Sequence, residues 1–491
     1  MITIRTLAPS AALTLAAALA PVSGAAQQPS SAAPTLELRP CTLPRGGVEA
    51  RCGTYMALEN REQPGGRRIP LDVVVVPARN GTPRPDPIFF VVGGPGQTGT
   101  ELAPGLAGSP LNQDREIVFV DQRGTSPAHR LDCRLPGNPD NPQGYLEPIF
   151  VPEVFRACRR ELESKADLTR YTTADYVDDL DEVRRALGYG QINVHGGSYG
   201  SRVVLFYMRQ YPQGIRTGYM TGLYPASMRN PLYHAADSQA ALDSIFALCA
   251  RDAGCGGAFP TLRREFAETM DRLRRQPARV TIDDPRTRRP IELSLNADAF
   301  AEGVRVMMYN WDRSRRLPLL LHRAHGGEYG PFASMALASN AGIRDQLRFG
   351  LLMSAICSED MPRITEEDIV RETRDTFLGD LRVRTQRAAC AEWPRRTLPA
   401  GYADPVRSNV PALLVSGAYD PATAPRWGTV AAQTLPNAVH VVVPGGHTAN
   451  SPCVERMVKE LMDRGTTQGL DTSCVREIPL APFVLSEEQG Q

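Results

Sequence analysis

Three residues of this chain have the types and setting for nucleophilic chemistry: Ser198, Asp420 and His447. Ser198 lies in Gly196-Gly197-Ser198-Tyr199-Gly200, a G-x-S-x-G pattern between the apolar run Ile192-Asn193-Val194 and the helix-like Arg202-Val203-Val204-Leu205-Phe206-Tyr207. A strand turning sharply into a helix there strains the serine backbone, lifts its Oγ to the end of a sheet, and needs small neighbours. A serine hydroxyl is a poor nucleophile at neutral pH, so it needs an imidazole base that a carboxylate orients. His447 follows Val439–Val443 through Pro444-Gly445-Gly446, where a loop can carry its ring to the serine. His440 sits inside that apolar run and reads as a strand residue; His195 reads as strand-end packing. Asp420 follows Leu413-Leu414-Val415-Ser416-Gly417, an apolar run with a glycine turn, although Asp420-Pro421 is also an ordinary turn pair.

An acyl-transfer site also needs donors for the developing oxyanion. The N–H of Tyr199, directly after the serine, is one. The other is expected from Gly93 or Gly94 in Val92-Gly93-Gly94-Pro95-Gly96-Gln97. One such donor is worth about 2.7–4 kcal/mol in the transition state. That loop lacks the G-K-[ST] ending of a phosphate cradle. This chemistry calls for no metal and no cofactor. His322 and His325 have no third ligand in view and read as solvated helix positions.

The elements that must position these groups are legible as apolar runs. Val73–Val76, Ile88–Val92, Ile117–Val120, Ile192–Val194, Ala412–Val415 and Val439–Val443 lack polar alternation, as strands covered on both faces do. Tyr176, Leu180, Val183 and Leu187 recur at helical spacing, and Gly188 closes that helix. The expected fold is α/β: a mostly parallel central sheet flanked by helices, with an inserted, mostly helical segment. The organisation reads as a signal peptide over 1–26, a first core part over 27–225, a helical insertion over 226–400 and a C-terminal core part over 401–491.

Composition sets outer limits. The 491 residues are 42% hydrophobic and 22% charged, with a formal charge of +1. That is ordinary globular composition, and the near-neutral balance gives no reason to expect a nucleic-acid or anionic-membrane partner. Arg5, the apolar stretch from Leu7 to Val22 and Ser23-Gly24-Ala25-Ala26-Gln27 describe a secretory leader, cleaved near Ala26 or Gln27. Secretion or delivery to a periplasm follows, with no stable membrane insertion once the leader is removed. Ten cysteines without a CxxC suit disulfides. Neighbour pairing gives 41–52, 133–158, 249–255, 357–390 and 453–474.

The set Gly93-Gly94-Pro95-Gly96, Asp121-Gln122-Arg123-Gly124, Gly196-Gly197-Ser198-Tyr199-Gly200, Asp420 and His447 resembles the exported tripeptidyl aminopeptidase and proline iminopeptidase family of α/β-hydrolases. The resemblance covers roughly residues 40–480 and thins out in the insertion, which would be the family's cap. It implies a Ser198–Asp420–His447 triad, with Tyr199 and Gly93 or Gly94 at the oxyanion hole. The implied substrate is a peptide with a free N-terminus, whose amine the family grips with cap carboxylates. Glu359 and Asp360, in Ile356-Cys357-Ser358-Glu359-Asp360, are the candidates; solvated surface acids are the plainer reading. Two motifs depart from the family: Thr125-Ser126-Pro127-Ala128 follows the Asp-Gln-Arg-Gly, and Thr221-Gly222 stands where Asp-Gly is usual. Arg123 is expected to brace the glycine loop. An esterase or amidase for small non-peptide substrates uses the same triad. A catalytically dead binding protein on this fold is the remaining alternative.

Overall fold

The computed structural model describes residues 36–486, except 45 and 285; the leader lies outside them. Nine strands form one sheet: β1 (Arg39–Thr42), β2 (Glu49–Leu58), β3 (Arg68–Val76), β4 (Ile88–Val91), β5 (Ile117–Val120), β6 (Ile192–Gly197), β7 (Ile215–Thr221), β10 (Ala412–Gly417) and β11 (Ala438–Val443). Two further strands, β8 (Ala278–Asp283) and β9 (Pro290–Leu295), make a separate hairpin. The sheet order is β1-β2-β3-β5-β4-β6-β7-β10-β11. From β5 to β11 every pairing is parallel. All four residues of β5 and all six of β10 are buried, as their unbroken apolar runs require. β1, β2 and β3 add an antiparallel edge, so the Val73–Val76 run pairs antiparallel with β5.

This order places the chemistry. The chain leaves β4 towards β5 on one side, whereas β6 leads to β7, β10 and β11 on the other. The strand order therefore reverses between the neighbours β4 and β6, and a crevice opens at their carboxyl ends. The glycine loop after β4 and Ser198 after β6 both lie there.

Helices cover the sheet. Helix α1 (Thr173–Ala186) begins with a reciprocal capping box, in which the Thr172 side chain accepts from the Asp175 N–H and Asp175 accepts from the Thr172 N–H. Gly188, at φ +75°, follows its end. Helix α2 (Tyr199–Gln210) starts directly after the serine. Between β7 and β10 the chain is mostly helical and contains α3 (His234–Arg251), α4 (Ala297–Met307), α5 (Gly330–Arg344), α6 (Phe349–Glu359) and α7 (Leu381–Ala391), besides the hairpin β8–β9.

This insertion divides between two cores. Residues from Ala241 to Ala341, including Phe266, Phe300 and Phe332, build a separate core that Tyr145, Leu146 and Phe483 join. By contrast, Leu351, Met353, Ile356 and Val383 of α6 and α7 pack into the main core with Val194 and Val203. The reason is that α6 is buried along its whole length and almost wholly apolar up to Cys357.

Five disulfides join Cys41–Cys52, Cys133–Cys158, Cys249–Cys255, Cys357–Cys390 and Cys453–Cys474, which is the neighbour pairing expected from sequence. Among the described residues no helix is long and apolar enough to cross a membrane. Cys357–Cys390 spans 33 residues and Cys249–Cys255 spans 6. Chain entropy then predicts a stabilisation of about 4 kcal/mol for the long loop and about 2 kcal/mol for the short one. Denaturant unfolding of the paired Cys→Ala variants measures this; equal losses would contradict the ranking.

Candidate active site

Ser198 has φ 56° and ψ −125°, a left-handed backbone conformation that is costly for a residue with a side chain. Its N–H donates to the Thr221 carbonyl at 2.9 Å, and its carbonyl accepts from the Ser201 N–H at 2.9 Å and the Ser201 hydroxyl at 2.6 Å. Both flanking glycines are required by close approach. A Cβ on Gly196 would lie 2.3 Å from the Gly200 carbonyl oxygen, and one on Gly200 would lie 2.5 Å from that of Val91. Strand and helix thus touch through backbone alone, which is how so sharp a turn fits.

Asp420 and His447 lie in the loops after β10 and β11. His447 Nδ1 is 2.9 Å from Asp420 Oδ2, with Thr423 Oγ1 also near at 3.1 Å. Asp420 accepts from the N–H groups of Ala422 and Thr423 at 2.8 and 2.9 Å, and from the Thr423 hydroxyl at 2.6 Å. Burial alone would raise the Asp420 pKa, but His447 and the Thr423 donors outweigh it, holding it below the ordinary value. The Tyr309 ring meets the His447 ring edge-on at 4.8 Å, and its carbonyl accepts the His447 N–H at 2.9 Å. Ser198 and His447 line one cavity. Gly222 keeps the space beside them, since a Cβ there would sit 3.2 Å from His447 Cε1.

The candidate oxyanion donors separate. The Gly93 N–H donates to Gln97 Oε1 at 2.9 Å and is therefore committed. Gly94 and Tyr199 N–H have no partner among the described residues. Gln122, rather than Arg123, braces the loop: its Oε1 accepts from Gly96 N–H at 3.2 Å and its Nε2 donates to the Gly93 carbonyl at 2.9 Å. Arg123 points elsewhere, pairing with Asp179 at 2.7 and 2.8 Å and donating to the Glu59 carbonyl.

Glu359 and Asp360 are corrected by the structure. Both are buried, and neither lines either cavity at Ser198. Glu359 accepts from Thr173 N–H at 2.5 Å, Thr173 hydroxyl at 2.8 Å and Arg202 Nη1 at 3.2 Å. Asp360 takes Arg202 at 3.1 Å, Arg363 at 2.7 Å and the Tyr224 hydroxyl. Arg202, one turn into α2, also lies 3.7 Å over the Tyr224 ring. A buried guanidinium on the helix behind Ser198 demanded these carboxylates, so they anchor that helix and lie outside both cavities. Burial raises the Glu359 pKa, with Arg202 opposing.

Two cavities meet at Ser198. The outer one, of about 560 Å³, includes Gly94, His195, Thr221 and His447 in its walls. His195 is buried there without a hydrogen-bond partner among the described residues, at a pKa pushed down to about 3 by burial. The inner one, of about 100 Å³, includes Gly94, Tyr224, Tyr309, Glu302 and Arg382. Of the motif departures, Thr221 reaches the outer cavity and Thr125–Ala128 lines neither. His440 bonds Ser416 at 2.9 Å in the sheet; His322 and His325 pair with Glu265 and Glu268. Among the described residues no cluster could hold a metal ion.

Sequence reasoning missed Gln122, Gln97, Thr423 and Tyr309. Thr423 had a signal, because a threonine three residues after an aspartate often caps its turn. Tyr309, distant in sequence, had none.

The fold with its strand-turn-helix serine defines an α/β-hydrolase, and the family described as "alpha/beta hydrolase fold" matches residues 86–252. A second family, described as "TAP-like protein", matches residues 376–474, which contain Asp420 and His447. The chain thus has the α/β-hydrolase fold, resembles the tripeptidyl aminopeptidase-like and proline iminopeptidase family in these two segments, and is a serine hydrolase. It is similar to serine protease Hip1 of Mycobacterium tuberculosis, 25% identical over 483 residues, covering 89% of this chain and 91% of the relative. Carboxylesterase B of the same organism is 25% identical over 466 residues, covering 87% and 86%. Proline iminopeptidase of Neisseria gonorrhoeae is 28% identical over 146 residues, covering 30% and 35%.

Two outcomes are expected. Gln122→Ala frees the glycine loop, so kcat should fall roughly 10²-fold while KM holds, because small misplacements cost that much. Glu359→Gln should lower the melting temperature and leave KM unchanged. Steady-state kinetics with thermal unfolding reads both; a KM effect without a stability loss would restore Glu359 to the substrate site.

Proposed function

We propose that this protein is an exported serine peptidase that releases short units from the free N-terminus of peptides. The observation that carries this reading is the asymmetry of space around Ser198. A chain threaded through the site needs room on both sides of the scissile bond. Here the inner side offers about 100 Å³ and the outer about 560 Å³, against roughly 300–1,000 Å³ for ordinary ligand pockets. A short terminal unit inside and the rest of the chain outside is the fit. The relatives named as a serine protease and a proline iminopeptidase support a peptide as substrate. The five disulfides support export.

In this reading His447 takes the Ser198 proton as Oγ attacks the scissile carbonyl. The N–H groups of Tyr199 and Gly94 receive the oxyanion, while Asp420, fixed by Thr423, holds the imidazole tautomer and steadies the imidazolium. His447 then passes the proton to the leaving amine. Water, deprotonated by the same ring, releases the acyl unit and restores the serine. With Glu359 and Asp360 engaged beneath α2, Glu302 is the carboxylate that lines the inner cavity, and although Arg305 binds both its oxygens, their remaining lone pairs are what a substrate ammonium would meet. Burial raises its pKa, but Arg305, Arg382 and Arg344 outweigh this and keep it charged.

The second reading, an esterase or amidase for small non-peptide substrates, is favoured by the likeness to carboxylesterase B. Both enzymes should label with a fluorophosphonate at Ser198. Ser198→Ala or His447→Ala should lower kcat on the order of 10⁴-fold or more; a folded Ser198→Ala protein with most of its activity would remove both readings. The peptidase reading expects free-amine peptide anilides to be cleaved roughly 10²-fold faster than their acetylated forms, since acetylation removes the ammonium and its charge-assisted hydrogen bonds. Equal kcat/KM for the two would transfer the assignment to the esterase.

A further inference from the structure

The wall of the inner cavity carries more positive charge than the hydrolytic machinery uses. Arg305, Arg344 and Arg382 surround the single carboxylate of Glu302 there. Arg305 binds both oxygens of Glu302, at 2.8 and 2.6 Å, and gives its remaining nitrogen to the Tyr309 hydroxyl at 2.9 Å. That pair is neutral by itself. Arg344 donates to the carbonyls of Gly144 and Glu147, both at 2.8 Å, so its hydrogen bonds are satisfied and its charge is not.

Arg382 is the least engaged of the three. Its Nε reaches Gln386 Oε1 at 3.2 Å, its guanidinium lies 4.5 Å over the Phe150 ring, and its ion pair with Glu302 is long, at 3.9 Å. Burial pushes both Arg344 and Arg382 down to about 10, with Glu302 opposing. His234, on the same wall, is held neutral by burial and the neighbouring arginines. Three guanidiniums thus share one carboxylate on this wall, a formal excess of two positive charges. Arg344 is buried and Arg382 keeps 24% of its side chain exposed, and excess positive charge in such a wall is costly unless an anion joins it.

We propose that Arg382, with Arg344 beside it, is a carboxylate-binding subsite, so that the substrate unit held in the inner cavity is acidic. The inference rests on Ser198 as the nucleophile at this cavity, and it deepens the reading above by naming the substrate class. A carboxylate pairs with a guanidinium through two parallel charge-assisted hydrogen bonds, which a neutral amide cannot match. It has two sources: an acidic side chain within the released unit, or the terminal carboxylate of a short peptide.

The test compares peptide anilides containing Glu with otherwise identical ones containing Gln, and short neutral peptides with their C-terminal amides. Wild-type enzyme should favour one carboxylate form by about 10- to 100-fold in kcat/KM, the range of a charge-assisted hydrogen bond. The wall is one side chain thick, since Glu302, Arg344 and Arg382 also line a shallow outer pocket. The variant is therefore Arg382→Met, which keeps the length of the side chain. It should bring the preference to within about threefold of unity, and Arg382→Lys should retain part of it. Binding of glutarate and its monoamide to the Ser198→Ala protein, by calorimetry, gives the same comparison without turnover.

A preference for Glu assigns the side chain, and a preference for the free C-terminus assigns the terminal carboxylate. No preference for either in the wild type, or a preference untouched in Arg382→Met, would overturn the proposal. Its failure is distinguishable from that of the aminopeptidase reading. If acetylated Glu peptides are cleaved as fast as free ones, that reading falls and the subsite stands. If a free amine is required but neither Glu over Gln nor the free C-terminus over its amide is preferred, the reverse holds.

Discussion

The site depends on one close approach between backbones. Gly196 comes so near the Gly200 carbonyl, and Gly200 so near that of Val91, that neither position has room for a Cβ. Ser198 is then forced to φ 56°, and the neighbouring structure must hold that strain. The Thr221 carbonyl and the Ser201 hydroxyl hold it from the adjacent strand and helix. The same closeness brings the Val92–Gln97 loop beside the serine, because β4 and β6 are neighbours where the strand order reverses.

Behind the turn lies a buried ionic cluster. Arg202 on α2 meets Glu359 and Asp360 at the end of α6, and Thr173 of α1 joins Glu359 to the Tyr199 hydroxyl. Such a cluster is weak evidence for net stability, since desolvation offsets most of its Coulomb gain. Its effect is geometric: removing one partner leaves an unpaired buried charge, costing about 3–5 kcal/mol. It therefore fixes the helix that follows Ser198 against a helix of the insertion.

Legibility in the sequence followed locality. Ser198, Asp420 and His447 each stand just past an apolar run, and a strand end is where a parallel sheet presents side chains to a crevice. Disulfide partners were near in sequence, so neighbour pairing sufficed. Gln122 and Arg123 were confused because successive side chains of extended backbone point to opposite sides, and the strand boundary does not tell which faces the loop. Glu359 and Asp360 did carry a signal: Phe349–Ile356 is apolar on every face, so acids at the end of so buried a helix had to find partners inside. Tyr309, Glu302, Arg305, Arg344 and Arg382 formed no local pattern, since α4, α5, α7 and the turn after α4 meet only in the folded chain.

Those missed residues lie where the two cores of the insertion meet. Ala301 and Val304 of α4, which also carries Glu302 and Arg305, pack in the separate core; Val383 of α7, beside Arg382, packs in the main one. The 3.9 Å gap between Glu302 and Arg382 is thus a gap across that seam. A carboxylate bound by Arg382 would sit next to Glu302, and like charges repel unless Arg305 keeps Glu302 neutralised, as its two hydrogen bonds do. Arg305 also reaches Tyr309, whose ring rests on His447. The one residue that would make room for a second anion therefore also positions a contact of His447. Charge on the wall and chemistry at the serine meet in a single side chain.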